Sequence, residues 1–303
     1  MFISLNKFKS LTNEFLASNT IEKGNSINTI EAYKNDLCQF TNWLDKKNVS
    51  ISSIGESTIE KYLIFLGKRG YESSTISRKT ACLKAFFKFL LKENIYKRNI
   101  MENIKRPTKK SFLPKSLSSN ELNKIFHYLE FNNEPNNLRD KVIFEILYGS
   151  GLRISELVSL NIHNINFEQS TIQCTGKGAK QRIIPTNESC LKSIDDYIQL
   201  ERSIIKKAAI REQALLLNKN GRRISRQTAW SSVKEITKKL SLDQNITPHT
   251  LRHTFATDLL KGGANLRQVQ EMLGHSSLSA TQIYTILDTE WIKKEFLSSH
   301  PRS

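Results

Sequence analysis

Apolar residues at Ile30, Tyr33, Leu37, Phe40 and Leu44 step by three and four, a spacing that lines one side of an α-helix beginning near Thr29. Ile59, Tyr62, Leu63 and Leu66 repeat the pattern. A third run places Leu83, Phe86, Phe87 and Leu90 on one face and Arg78, Lys84, Lys88 and Lys92 on the other. No strand-like alternation interrupts these runs, so the first hundred or so residues predict a small helical bundle with a basic side. Two prolines, Pro107 and Pro114, then forbid a continuous helix through a stretch whose charges are nearly all positive, which predicts a basic linker over 107–115. Downstream, Ser118, Ser119, Asn120 and Glu121 offer a helix start, and a second helix runs through Val142, Ile143, Ile146 and Leu147 to Gly149. From Ile165 to Pro185 the period changes to alternation rich in Ile and Thr, broken at Glu168-Gln169 and at Gly176 to Ala179. That predicts a small antiparallel three-stranded sheet. Helical patterning resumes near Cys190 and is expected to persist to the end of the chain.

The domain plan is therefore a helical N-terminal domain over 1–106, the linker, and a larger domain over 116–303 that is mainly α with a small antiparallel β-sheet. A length of 303 residues suits two domains, each with its own core. Charge sharpens the picture. Lysine and arginine total 46 against 29 aspartate and glutamate, a net charge of +17 that draws in polyanions, nucleic acid first and an anionic membrane surface next. No apolar run approaches the roughly 20 residues of a membrane span, and the first residues lack a signal-peptide pattern, so a cytoplasmic location without membrane attachment is expected. Cys38, Cys82, Cys174 and Cys190 form no CxxC pair, which removes the usual zinc spacing and leaves buried reduced thiols as the expectation.

Four short stretches of the second domain mix functional residue types with glycine punctuation, and each has a plain structural reading when taken alone. Arg153, in Gly151-Leu152-Arg153-Ile154-Ser155-Glu156-Leu157, lies at the mouth of a helix where an anion is favoured; it could equally pair with Glu156 on the surface. His249 and Arg252 are three apart on a helix that runs to Gly262-Gly263 and so share a face, although the histidine could simply cap that helix and the arginine be solvated. Lys177 stands between two glycines at a hairpin tip, where lysines commonly serve only solubility. His275 follows a helical stripe of Leu266, Val269, Met272 and Leu273 closed by Gly274. Tyr284 follows in a weakly helical stretch where a half-buried packing role is ordinary.

Taken together, in this order and spacing, the four stretches resemble the motif set of the tyrosine recombinase family of site-specific DNA recombinases, its Xer-type members in particular. The resemblance extends over essentially the whole chain and is most specific between Gly149 and Tyr284; Thr285-Ile286 departs from the Thr-His that follows the nucleophile in many Xer relatives. It implies a two-domain DNA clamp, a helical core-binding domain joined to a catalytic domain. It also implies that Arg153, Lys177, His249, Arg252 and His275 surround the scissile phosphate and that Tyr284 attacks it. Two arginines suit this chemistry because a guanidinium fork stays charged and matches phosphate oxygens; losing one such donor is expected to cost about a hundredfold to a thousandfold in rate. His249 is the better candidate to take the phenol proton, His275 to hydrogen-bond a nonbridging oxygen, and Lys177 to protonate the leaving 5′-oxygen.

Because a tyrosyl phosphate keeps the energy of the broken bond, the resemblance implies neither ATP, metal nor cofactor, and the sequence shows no Gly-Lys-Ser/Thr phosphate loop. Its implied partners are double-stranded DNA, a homo- or hetero-tetramer with a paralogous recombinase, and a septal DNA translocase as activator. The C-terminal segment from Asp288 to Leu297, with Trp291, Ile292 and Phe296, is expected to pack on a neighbouring subunit, the alternative being that it closes its own domain's core. Chromosome-dimer resolution is the leading role. A mobile-element integrase, a type IB topoisomerase and a catalytically silent DNA-binding protein are the alternatives, the last disfavoured because all six residues are present.

Overall fold

Helix-forming runs with apolar faces repeated every three or four residues collapse into a bundle once those faces find one another. The computed structural model describes residues 5–21, 27–50, 53–104, 116–176, 181–205, 212–274 and 296–302. Its contacts divide the chain into two units, Met1–Ser111 and Phe112–Ser303. The expected linker, 107–115, lies outside the described residues.

In the first unit, helices α1 (Leu5–Ile21), α2 (Ile27–Lys46), α3 (Glu56–Lys68) and α4 (Ser73–Lys92) enclose an aromatic core. Phe15 and Phe86 meet edge to face at 5.3 Å, and Phe40 meets Tyr62 at 4.9 Å, with Leu37, Ile59, Leu66 and Leu83 filling between them. Lys84, Lys88 and Lys92 are exposed as the pattern required. Arg78 is not simply solvated: with Lys79, whose Nζ lies 2.7 Å from Asp36, it pairs with that buried carboxylate. Cys38 is exposed rather than buried, whereas Cys82, Cys174 and Cys190 are buried; all four are free thiols.

In the second unit, α5 (Ser119–Phe131) begins with a reciprocal cap in which Ser118 N–H donates to Glu121 at 2.8 Å and Glu121 N–H to the Ser118 hydroxyl at 3.3 Å. Helix α6 (Asn137–Gly149) is buried all round, with Val142, Ile143, Phe144, Ile146, Leu147 and Tyr148 in the core, the mark of a central helix. The short α7 (Ile154–Ser159) leads to strands β1 (Ile165–Asn166), β2 (Thr171–Thr175) and β3 (Gln181–Pro185). They pair antiparallel in the order β1-β2-β3, with Ile172 opposite Ile184 and Cys174 opposite Arg182. Helices α8 (Glu188–Asp196), α9 (Arg226–Lys239), α10 (Pro248–Lys261) and α11 (Leu266–Leu273) follow in chain order.

The expectation of unbroken helical structure after Cys190 fails in the segment 212–225. Ala214 bridges to Asn161 and Leu217 to Arg223, with Gly221 at φ +71° turning the chain. The cause is visible in Ala214, Leu215, Leu216 and Leu217: all four are buried, a run with no polar side to face water as a surface helix would.

Candidate active site

Gly151 sets the site's geometry. Its φ is +60°, and a Cβ there would lie 2.3 Å from the Phe255 ring, so only glycine fits between α6 and α10. The chain then buries Leu152 and presents Arg153 at the start of α7. The Arg153 N–H donates to Glu156 Oε2 at 2.8 Å, its Nη1 to Glu156 Oε1 at 2.8 Å and its Nη2 to the Gly274 carbonyl at 3.1 Å. The side chain is still 38% exposed, leaving the guanidinium a solvent-facing side.

Arg252 comes from α10, which starts at Pro248 behind a cap formed by Thr247, to whose hydroxyl Thr250 N–H donates at 3.3 Å. The histidine of that turn is therefore not the cap. Nor is Arg252 a solvated arginine: its side chain is 6% exposed and donates to the carbonyls of Gly151 and Leu273, each at 2.5 Å. Its Nη1 lies 3.8 Å from Glu156 Oε2. Burial first, and then the nearby Arg153 charge, push its pKa down to about 10, which leaves it cationic at neutral pH.

His249, one turn before Arg252, keeps an exposed edge. Its pKa is lowered by desolvation of its inner side, then by the charges of Arg252, His253 and Arg153, in that order. The imidazole is thereby held neutral, able to accept a proton.

A third arginine belongs to this cluster and was not among the sequence-predicted residues. Arg182 on β3 forks onto Glu156, Nη1 to Oε1 at 2.9 Å and Nη2 to Oε2 at 2.8 Å, and its Nε donates to the Met272 carbonyl at 2.9 Å. The signal for it lay in the strand's alternation: Arg182 occupies an inward position flanked by the exposed Gln181 and Ile183. Glu156, considered only as a surface partner for Arg153, is instead 3% exposed and central. Burial alone would raise its carboxyl, but the Arg182 hydrogen bonds, the Arg153 N–H and the Arg182 charge outweigh burial and hold it at about 2.

Three guanidinium groups thus face one carboxylate, a surplus of two positive charges. They also take the last carbonyls of α11 in sequence: Met272 accepts from Arg182, Leu273 from Arg252 and Gly274 from Arg153. A helix C-terminus favours cations through these unsatisfied carbonyls, and Gly274, left-handed at φ +63°, ends the helix there. The structure therefore brings Arg153, His249 and Arg252 together. Lys177, His275 and Tyr284 lie outside the described residues, Lys177 between β2 and β3 and His275 directly after Gly274 in sequence.

Two family profiles cover most of the chain: that of the phage integrase family matches residues 115–290, and that of the phage integrase N-terminal SAM-like domain matches 12–94. The chain belongs to the phage integrase family. Among its relatives, the tyrosine recombinase XerD of Oceanobacillus iheyensis is 38% identical over 93% of this chain and 95% of its own length. Tyrosine recombinase XerC of Herpetosiphon aurantiacus is 39% identical over 90% and 89%. Among solved structures, the XerH site-specific recombinase bound to palindromic difH superposes with a TM-score of 0.70 at 24% identity, covering 96% of this chain and 83% of that one. The Tn1549 transposon integrase in complex with circular intermediate DNA superposes at 0.68 with 21% identity, covering 92% and 98%. These two share the fold. As a member of the tyrosine recombinases, the chain is an enzyme that breaks and rejoins DNA by transesterification. Among the described residues no helix is long and apolar enough to cross a membrane.

Proposed function

We propose that this recombinase resolves chromosome dimers, acting on two copies of a specific double-stranded DNA site as a tetramer, alone or with a paralogous recombinase. The observation that carries the site assignment is the convergence of Arg153 and Arg252 on one charged centre beside a neutral His249. Relatives named XerD and XerC, aligned along nearly their full lengths, support the cellular role.

In this reading Arg153, through its solvent-facing side, and the charge of Arg252 behind it neutralise the nonbridging oxygens of the scissile phosphate, and His275 adds a hydrogen bond. The Tyr284 Oη attacks phosphorus while its proton passes to His249. The bond to the 5′-oxygen breaks, Lys177 protonates that oxygen, and a 3′-phosphotyrosyl link remains. A 5′-hydroxyl from the second duplex then attacks the same phosphorus, expels the tyrosine and generates a Holliday junction. The bond energy is conserved at each step, so ligation draws on no ATP. Activation by a septal DNA translocase completes the proposal.

The test is covalent capture in cells. DNA joined to the wild-type chain is purified under denaturing conditions and sequenced, with Tyr284→Phe as control. Adducts on wild type alone, concentrated at one locus near the replication terminus and dependent on the translocase, are expected. Adducts persisting on Tyr284→Phe overturn the nucleophile assignment. Sites dispersed through the genome or borne on mobile elements overturn dimer resolution in favour of an integrase role, for which the Tn1549 integrase offers a precedent in fold.

A further inference from the structure

A carboxylate beside a phosphate-binding site is an obstacle to that site unless its charge is already matched, because it repels the phosphate and competes for the same arginines. Glu156 is such a carboxylate, buried 3.8 Å from Arg252 and 2.8 Å from Arg153. Its two oxygens are matched first by Arg182, in the parallel two-bond geometry that arginine alone among the side chains provides. The third donor position of the Arg182 guanidinium, Nε, goes to the Met272 carbonyl. The side chain is 7% exposed and packs so closely under Gly274 that a Cβ there would stand 3.2 Å from its Cζ, so its fork faces the protein interior.

We propose that Arg182 is a positioning residue for strand cleavage: by holding Glu156 in a fork and tying it to the end of α11, it keeps Arg153 and Arg252 available to the scissile phosphate. The inference rests on the assignment of those two arginines to the phosphate, and it adds what limits the hold of Glu156 on them to one Nη of Arg153 and a 3.8 Å approach to Arg252. Arg182 also joins three of the four segments from which the candidate residues come. It stands on the hairpin that carries Lys177, it binds the glutamate three residues after Arg153, and it grips α11 three residues before His275. Without it, both oxygens of Glu156 turn to Arg153 and Arg252, and the surplus of positive charge at the site is halved.

The experiment measures the rate of covalent adduct formation by the full-length chain on a labelled, nicked duplex cut from the captured locus, at saturating DNA. Arg182→Met is expected to slow adduct formation about a hundredfold while DNA affinity changes less than about threefold. Adding Glu156→Gln, which removes the unmatched charge, is expected to return at least about tenfold of that loss. A purely structural role predicts the opposite, a double variant no faster than Arg182→Met, and that result overturns the proposal. Where Arg182→Met does not fold, Arg182→Lys carries the test on a duplex with a neutral methylphosphonate at the scissile position. The lysine variant is expected to be slowed about tenfold relative to wild type on the phosphodiester but less than about threefold on the methylphosphonate, which has no charge to neutralise. Equal slowing on both overturns the proposal. A wild-type chain that forms no adduct overturns the recombinase reading and this one with it, whereas a normal wild type and an unimpaired Arg182→Met overturn this one alone.

Discussion

At the residue scale, His249 shows how a positive cluster tunes its neighbours. Desolvation and the charges of Arg252, His253 and Arg153 all disfavour the imidazolium, so the proton-accepting form persists below the ordinary histidine value of 6.5. If His249 takes the Tyr284 proton, the cleavage rate falls as pH drops through that lowered value and is level from about pH 7 upward as far as this group controls it. Arg153→Ala removes one of the depressing charges, so the midpoint of its residual activity moves upward, toward 6.5. Single-turnover adduct formation across pH, in wild type and Arg153→Ala, checks both; an unmoved or lowered midpoint rejects His249 as the base. Arg153, His249 and Arg252, which the structure brings together, stood out in the sequence because each lies near a glycine or another functional residue in a spaced motif. Arg182 did not, because a lone arginine in a strand carries no motif, and only the strand's inward phase betrays it.

At the element scale, the same logic separates what was readable from what was not. Helices α2, α3 and α4 bury one stripe each, and the sheet alternates, so periodicity reported them. The segment 212–225 buries an entire apolar run, and its path depends on Asn161, a partner distant in the chain that bridges to Ala214 and accepts from Arg223. The gap between α6 and α7 belongs to the same class: a glycine in the sequence announces a turn but not the ring that makes the glycine obligatory. Gly151→Ala forces a left-handed backbone on alanine and drives a methyl into Phe255, so a loss of about 2–5 kcal/mol in stability is expected from strain and overpacking together. Urea unfolding of the full chain measures it. Because the Gly151 carbonyl also accepts from Arg252, cleavage falls more steeply than stability does. A variant of wild-type stability and activity contradicts the geometry.

At the scale of the whole molecule, the far end of the chain is part of the second unit's core. Phe296 is fully buried and stacks with His300 at 5.0 Å, His300 lies 5.2 Å from Tyr148 and 5.7 Å from Phe255, and Arg302 pairs with the buried Glu145. Asn187 donates to the Arg302 carbonyl at 2.9 Å, and the chain passes Gly262 so closely that a Cβ there would lie 2.1 Å from the Ser299 carbonyl. The expectation that Phe296 would pack on a neighbouring subunit is thus corrected for this chain as it stands, since an apolar ring finds its burial in its own unit; Trp291 and Ile292 lie outside the described residues. Tyr148 and Phe255 sit on α6 and α10, which flank Gly151, so the docked end braces the helices that position Arg153 and Arg252. This docking depends on pH. Burial first, and then the Arg302 charge, push the His300 pKa down to about 4, so the unfolded chain takes up a proton more readily than the folded one between about 4 and 6.5. The contribution of His300 to folding stability is therefore expected to fall as pH drops from about 6.5 toward 4, beside those of other groups that titrate there. Replacing His300 with phenylalanine, which keeps an aromatic ring against Phe296 but cannot titrate, flattens that part of the profile. Chemical denaturation at closely spaced pH values, in wild type and His300→Phe, gives the difference directly, and parallel profiles would detach His300 from the acid sensitivity of the fold.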